Sequence, residues 1–167
     1  MANTATANVI QGKTANKTRS SAQPPIDSFV MKYKAGSLDK IQMVRSGVSP
    51  EELLMTAREM SVSNEKLFSL LGLPRTTINR RIKNNTPLPS EQSERVIGLQ
   101  RLIGQVETMV VESGGATGFH AARWLAEWLE QPLLALNNAQ PSAYMDTVEG
   151  IDLVSSLLAQ IQSGAYA

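Results

Sequence analysis

Apolar positions recur every three or four residues through most of the chain, and nowhere do they alternate with polar ones over a strand's length. That period predicts helices and an all-α fold. The clearest stretch is NEKLFSLLGLPRTTINRRIKN, from Asn64 to Asn84. Leu67, Phe68, Leu70 and Leu71 give a first short helix its apolar face, and Gly72 supplies the permissive backbone of a sharp turn. A second short helix opens at Pro74, and its Ile78 and Ile82 stand four apart and point inward together. At about 100° per residue, Thr76, Asn79, Arg80 and Lys83 then fall on the outward side, flanked by Arg75 and Arg81. The layout predicts a helix-turn-helix with a basic, amide-bearing recognition helix. Phe68 occupies the position four before the turn glycine, where a small residue is usual, so its ring should widen the contact between the two helices.

Helical signals begin at Ser37, which can cap a helix carrying Leu38, Ile41 and Val44 and stopped by Gly47. Ser49-Pro50-Glu51-Glu52 reads as a capping box with proline at the first helical position, and Val48 and Leu53 lie where a hydrophobic staple would form. Leu53, Leu54, Ala57 and Met60 then place a helix beneath the helix-turn-helix. The TPLP run, Thr86 to Pro89, breaks the chain. Ser90 is placed to cap a long helix with Val96, Leu99, Ile103, Val106 and Val110 on one stripe, ended by Gly114 and Gly115. At about 1.5 Å per residue that helix is long enough to connect two domains. Phe119, Ala122, Leu125, Trp128 and Leu129 share a face of a further helix closed by Pro132. Asn137 to Pro141 makes a turn, and a last helix from Thr147 carries Val154, Leu157, Leu158 and Ile161 to Gly164. The expected organisation is an N-terminal arm at 1–25, a helix-turn-helix domain at 26–113 and a C-terminal helical domain at 114–167, divided at the GGATG cluster.

Composition narrows the chemistry. Hydrophobic residues make up 42% of the 167, enough for a core, and no apolar run reaches membrane-spanning length. No charged-then-apolar secretory leader is present, so a cytoplasmic protein without membrane partners is expected. The absence of cysteine excludes disulfides, thiolate metal sites and cysteine nucleophiles. His120 has no second histidine and reads as a surface or capping residue, not a ligand. No metal-ligand cluster, phosphate-binding glycine loop or nucleophile–base pair marks an enzyme, and no cofactor is expected. Residues 1–25 are rich in Ala, Thr, Asn, Ser and Gln, which predicts disorder, either as a DNA-contacting arm through Lys13, Lys17 and Arg19 or as a plain terminus.

A net charge of +1 conceals a gradient. Ser61 to Pro89 holds five Lys/Arg against one acid, whereas Ala116 to Ala167 holds five acids against one arginine. The basic stretch suits phosphates and the acidic one does not. Charge runs often only solvate a helix, but Arg and Asn form bidentate contacts with guanine and adenine edges, and Thr reads either. The candidate DNA contacts are therefore Arg75, Thr76, Thr77, Asn79, Arg80, Arg81 and Lys83. Thr76, Asn79 and Arg80 are assigned to bases, and Arg75, Arg81 and Lys83 mainly to phosphates.

These residues resemble one family, the Xre/MbcA/ParS antitoxins of bacterial toxin–antitoxin pairs. The similarity runs from about Asp39 to Tyr166. Its first part is VRSGVSPEELL…LFSLLGLPRTTINRRIK, and its second is AEWLEQPLLALNNAQPSAYMDTVEGIDLVSSLLAQIQSGAYA. Any helix-turn-helix could mimic the first. The second is more specific, because WLEQP, a Pro-containing loop, DTVEG and a helix ending in GAYA occur in order. One departure is Asn137 to Gln140, which stands where a glycine-containing turn is often found.

The resemblance implies a partner with a RES domain, a toxin fold related to ADP-ribosyl transferases that consumes NAD. It implies a non-enzymatic antitoxin that blocks the toxin's active site with its C-terminal domain and, as a homodimer or larger complex, represses its own operon at operator DNA. The candidate toxin-binding residues are Asp146, Glu149 and Asp152 at the start of the last helix, with the tail Gly164, Ala165, Tyr166 and Ala167. Glu149 and Asp152 equally suit a helix N-terminus through the macrodipole alone. The rival reading is a stand-alone regulator whose C-terminal domain dimerises or binds an effector between Trp124, Trp128 and Tyr144, although aromatics at helix spacing are usually core.

Overall fold

The computed structural model describes residues 25–115 and 117–164. Eight α-helices occur among them: α1 (Pro25–Lys34), α2 (Ser37–Ser46), α3 (Pro50–Glu59), α4 (Asn64–Leu70), α5 (Arg75–Asn84), α6 (Ser90–Glu112), α7 (Ala121–Trp128) and α8 (Val148–Gln162). Short 3-10 turns at Leu134–Leu136 and Pro141–Tyr144 lie between α7 and α8. β pairing among the described residues is confined to one isolated antiparallel bridge, Leu133 to Ala139. The chain is all-α, as its periodicity predicts.

The molecule is built around α6. Its 23 residues form more than a connector, because Val96, Leu99, Leu102, Ile103 and Val106 are all buried and helices α1, α2, α7 and α8 lie against it. The core is continuous from Phe29 in α1 through Leu53, Leu67 and Ile78 to Leu125, Val154 and Leu158. Burying a leucine or isoleucine fully is worth about 1.5–3 kcal/mol, so this cluster supplies the main driving force. Helices α4 and α5 each pack against α3, and Phe68 joins the core.

Helix α1 went unpredicted. It crosses α6 closely, and Phe29 is buried. Gly104 permits that approach. A Cβ there would lie 2.1 Å from the Phe29 carbonyl oxygen. A glycine inside a helix costs about 0.5–1 kcal/mol relative to alanine, and close packing of the two backbones offsets it. Polar groups then fix the register. The Lys32 ammonium pairs with Glu52 and donates to Gln100 Oε1 at 2.7 Å, while Gln100 Nε2 donates to Thr56 Oγ1 at 2.9 Å. Gln100 and Thr56 are fully buried, so α1, α3 and α6 are joined by one satisfied polar chain. A second lock is Ser93, whose Oγ accepts from the Val48 N–H at 2.9 Å and donates to the Leu88 carbonyl at 3.1 Å.

Several local expectations need correction. Gly36, not Ser37, is the cap of α2, and Pro89, not Ser90, precedes the first turn of α6; neither serine makes a side-chain cap bond. Ser49 does cap α3, accepting from the Glu52 N–H at 3.2 Å, but the Glu52 carboxylate turns to Lys32 instead of closing the box. The apolar stripe of α2 stays largely outside the core, with Leu38 81% exposed. Phe119 lies before α7, and both it and Trp128 are half-buried. Val110 is half-buried, and Ile161 sits beyond the last core turn of α8 at 38% exposure. The loop at Asn137 does the work of a glycine turn. Asn137 and Asn138 adopt φ of 54° and 64°, the left-handed region that asparagine tolerates better than most residues. The predicted arm at 1–25 falls, but for Pro25, outside the described residues, and Lys13, Lys17 and Arg19 with it.

Candidate functional site

The first candidate surface is α5. Ile78 is fully buried and Ile82 half-buried, which turns Arg75, Thr76, Asn79, Arg80 and Lys83 outward into solvent. Thr77 and Arg81 are half-buried at the edges of that face. The helix carries no acid, so every charge on its outward side is positive. The turn before it is sharp: Gly72 has φ of 57°, and the Leu73 N–H donates to the Phe68 carbonyl at 2.8 Å. Three of the cations differ in freedom. Arg75 reaches back to Glu65 at 3.8 Å, and Arg81 Nη1 donates to the Pro87 carbonyl at 3.2 Å. Arg80 makes no side-chain hydrogen bond or ion pair among the described residues.

The second surface is the start of α8. Thr147 caps it, accepting from the Gly150 N–H at 3.1 Å. Asp146, Glu149 and Asp152 are all exposed and cluster around that first turn. They are not equivalent. Asp152 borders a cleft that also contains Lys40 and Arg101 of the same chain, whereas Asp146 and Glu149 do not line it. Gly164 follows α8 with φ of 70° and is exposed. Ala165, Tyr166 and Ala167 lie outside the described residues.

The structure brings the two surfaces together through a residue that sequence reasoning missed. Arg95 of α6 is mostly buried, and its Nη1 donates to the Asp146 carbonyl at 3.0 Å and to the Gly72 carbonyl at 3.4 Å. A Cβ on Gly72 would stand 3.0 Å from Asp146 Cβ. The turn of the helix-turn-helix therefore abuts the acidic helix start. The only local signal at Arg95 was Glu91 four residues earlier, which reads as an ordinary helix-surface pair.

The aromatic candidates form a different feature. Trp124 and Trp128 stack with centroids 6.0 Å apart, Phe119 adds a tilted contact at 6.3 Å, and all three are half-buried against the core. Tyr144 is half-buried, with its carbonyl against Gly150. His120 is exposed at the N-terminus of α7, without a side-chain cap bond.

Comparison with known proteins connects these surfaces to a lineage. Residues 39–101 match the antitoxin Xre-like helix-turn-helix domain, and residues 110–164 match the antitoxin Xre/MbcA/ParS C-terminal toxin-binding domain. A relative from Sphingobium sp. (strain YBL2), named Prs ADP-ribosylating antitoxin, is 42% identical over 153 residues, which span 92% of this chain and 96% of that protein. The chain belongs to the Xre/MbcA/ParS antitoxin family. The antitoxin thus carries α5 within the first matched segment, and Asp146, Glu149 and Asp152 within the second. No helix of the antitoxin is long and apolar enough, among the described residues, to cross a membrane.

Proposed function

We propose that this antitoxin neutralises a RES-domain, NAD-consuming toxin by covering its nucleotide pocket, and represses its own operon through α5. It acts in the cytoplasm, by binding and not by catalysis. The observation that carries the first half is the exposed carboxylate cluster at the capped start of α8, inside the segment that matches a toxin-binding domain. The relative's name contains ADP-ribosylation, whose donor is ordinarily NAD. A toxin that takes NAD must attract two phosphates with arginines or lysines, and an inhibitor gains by presenting carboxylates to the same cations. Asp146 and Glu149 are best placed for this, with Asp152 beside them and the tail from Gly164 through Tyr166 covering the pocket's edge. Repression follows from an acid-free recognition helix whose outward Thr76, Asn79 and Arg80 suit base edges. A homodimer would place two such helices on half-sites about 34 Å apart.

The test is NAD consumption by the co-expressed toxin. Asp146→Lys/Glu149→Lys should restore turnover while the antitoxin still melts cooperatively, with at most about 1 kcal/mol lost per charge at the helix start. Removing residues 164–167 should act in the same direction. Full inhibition by both variants would sink the occlusion reading and point to inhibition from a distance.

A further inference from the structure

A cleft of about 420 Å³ opens between α2, α6 and the start of α8. Its polar groups are Lys40 and Arg45 from α2, Arg101 and Glu94 from α6, and Asp152 from α8, set over an apolar floor that includes Ile97 and Ile151. None of the three cations forms an ion pair among the described residues. Arg101 Nε is buried without a hydrogen-bond partner among the described residues. Burial and the nearby Arg101 both hold the Lys40 ammonium below the usual lysine range, against the opposite pull of Asp152. Lys40 and Arg101 thus share a half-sheltered, apolar-floored cleft with Asp152.

We propose that this cleft binds a nucleoside phosphate. The mixed lining selects for that class. An inorganic anion would satisfy Lys40 and Arg101 but would meet repulsion from Asp152 and Glu94 and leave the apolar floor uncovered. A nucleoside phosphate answers all three features. Its phosphate faces Lys40 and Arg101 with Arg45 nearby, its ribose hydroxyls donate to the carboxylates, and its base covers Ile97 and Ile151. The cleft's volume lies within the ordinary range for small-molecule sites. Since α2 and α8 lie in the two different matched segments, the ligand would tie the helix-turn-helix half to the toxin-binding half. Asp152 belongs to both surfaces, but Asp146 and Glu149 do not line the cleft, and binding measured without toxin tests the cleft by itself.

The experiment is titration of the full chain, without toxin, with AMP by calorimetry and thermal melting. Saturable binding is expected, with a rise in Tm of about 3–6 °C at tenfold excess over Kd. Lys40→Gln and Arg101→Gln should each weaken AMP by about tenfold or more, as loss of one charge-assisted contact would. Arg123→Gln, an exposed change on α7, should leave it unaltered. Adenosine and inorganic phosphate should each bind at least tenfold more weakly than AMP. Absence of saturable AMP binding at millimolar concentration would overturn the proposal, as would unchanged affinity in Lys40→Gln. Phosphate binding as tight as AMP would overturn it too, leaving an anion site only. If Arg101→Gln fails to fold, Lys40→Gln, on a helix with no buried residues, carries the test.

Discussion

At the scale of single residues, the cations of α5 differ in what holds them. Arg80 is free on the outward face, while Arg81 is fastened to the Pro87 carbonyl and Arg75 leans on Glu65. Arg80→Ala should therefore weaken operator affinity by about 1–3 kcal/mol and relax preference at one base position, measured by binding to an operator series at moderate salt. Arg81→Ala should weaken all sequences alike and flatten the salt dependence. Unchanged operator affinity in Arg80→Ala would remove α5 from the role of base reader. The outward set was legible in the sequence because a helix's period assigns each position a side once Ile78 and Ile82 mark the inside. Attachment of Arg81 to Pro87 was not, since it depends on how the TPLP turn folds back.

At the scale of elements, some helix ends and turns followed local chemistry, while others, at Ser37 and Ser90, did not. Thr147 and Ser49 cap as their positions suggest, and Gly72 takes the left-handed turn. Where a long-range partner competed, the local rule gave way, as at Glu52, which pairs with Lys32. Ser93 shows how much such a partner matters: it is fully buried and serves both the Val48 N–H and the Leu88 carbonyl. Ser93→Ala should destabilise the fold by about 1–3 kcal/mol, because it strands a buried N–H, and urea denaturation would measure it. A loss below a few tenths of a kcal/mol would mean that the α2–α3 turn finds another partner.

At the scale of the whole molecule, α6 serves both halves. Its Gln105 donates to the Ser155 carbonyl at 3.0 Å and accepts from Ser155 Oγ at 2.8 Å, and Ile151 and Leu158 of α8 join the same core as Phe29 of α1. A chain ending at Glu112 should keep part of its helicity, lose cooperativity in thermal melting followed by circular dichroism, and fail to rescue cells that express the toxin. Rescue by that shortened chain would show that the C-terminal half is not the neutralising part. The Arg95 bridge between Gly72 and Asp146 adds that a partner seated on α8 would lie beside the helix-turn-helix turn.

From the sequence alone followed the all-α class, the helix-turn-helix, the basic face of α5 and the acidic start of α8, because each depends on residues within a few turns of one another. The three-dimensional packing decided what each apolar stripe meets. A period reports that a stripe exists, not whether another helix covers it, so α2 with its exposed Leu38 was misjudged, while α1 with its buried Phe29 was not read as a helix at all. It also decided every contact between residues distant in the chain: Lys32 with Gln100 across 68 positions, and Arg95 with Asp146 across 51. Such pairs carry no local signature, because chain folding, not residue spacing, brings them within hydrogen-bond reach.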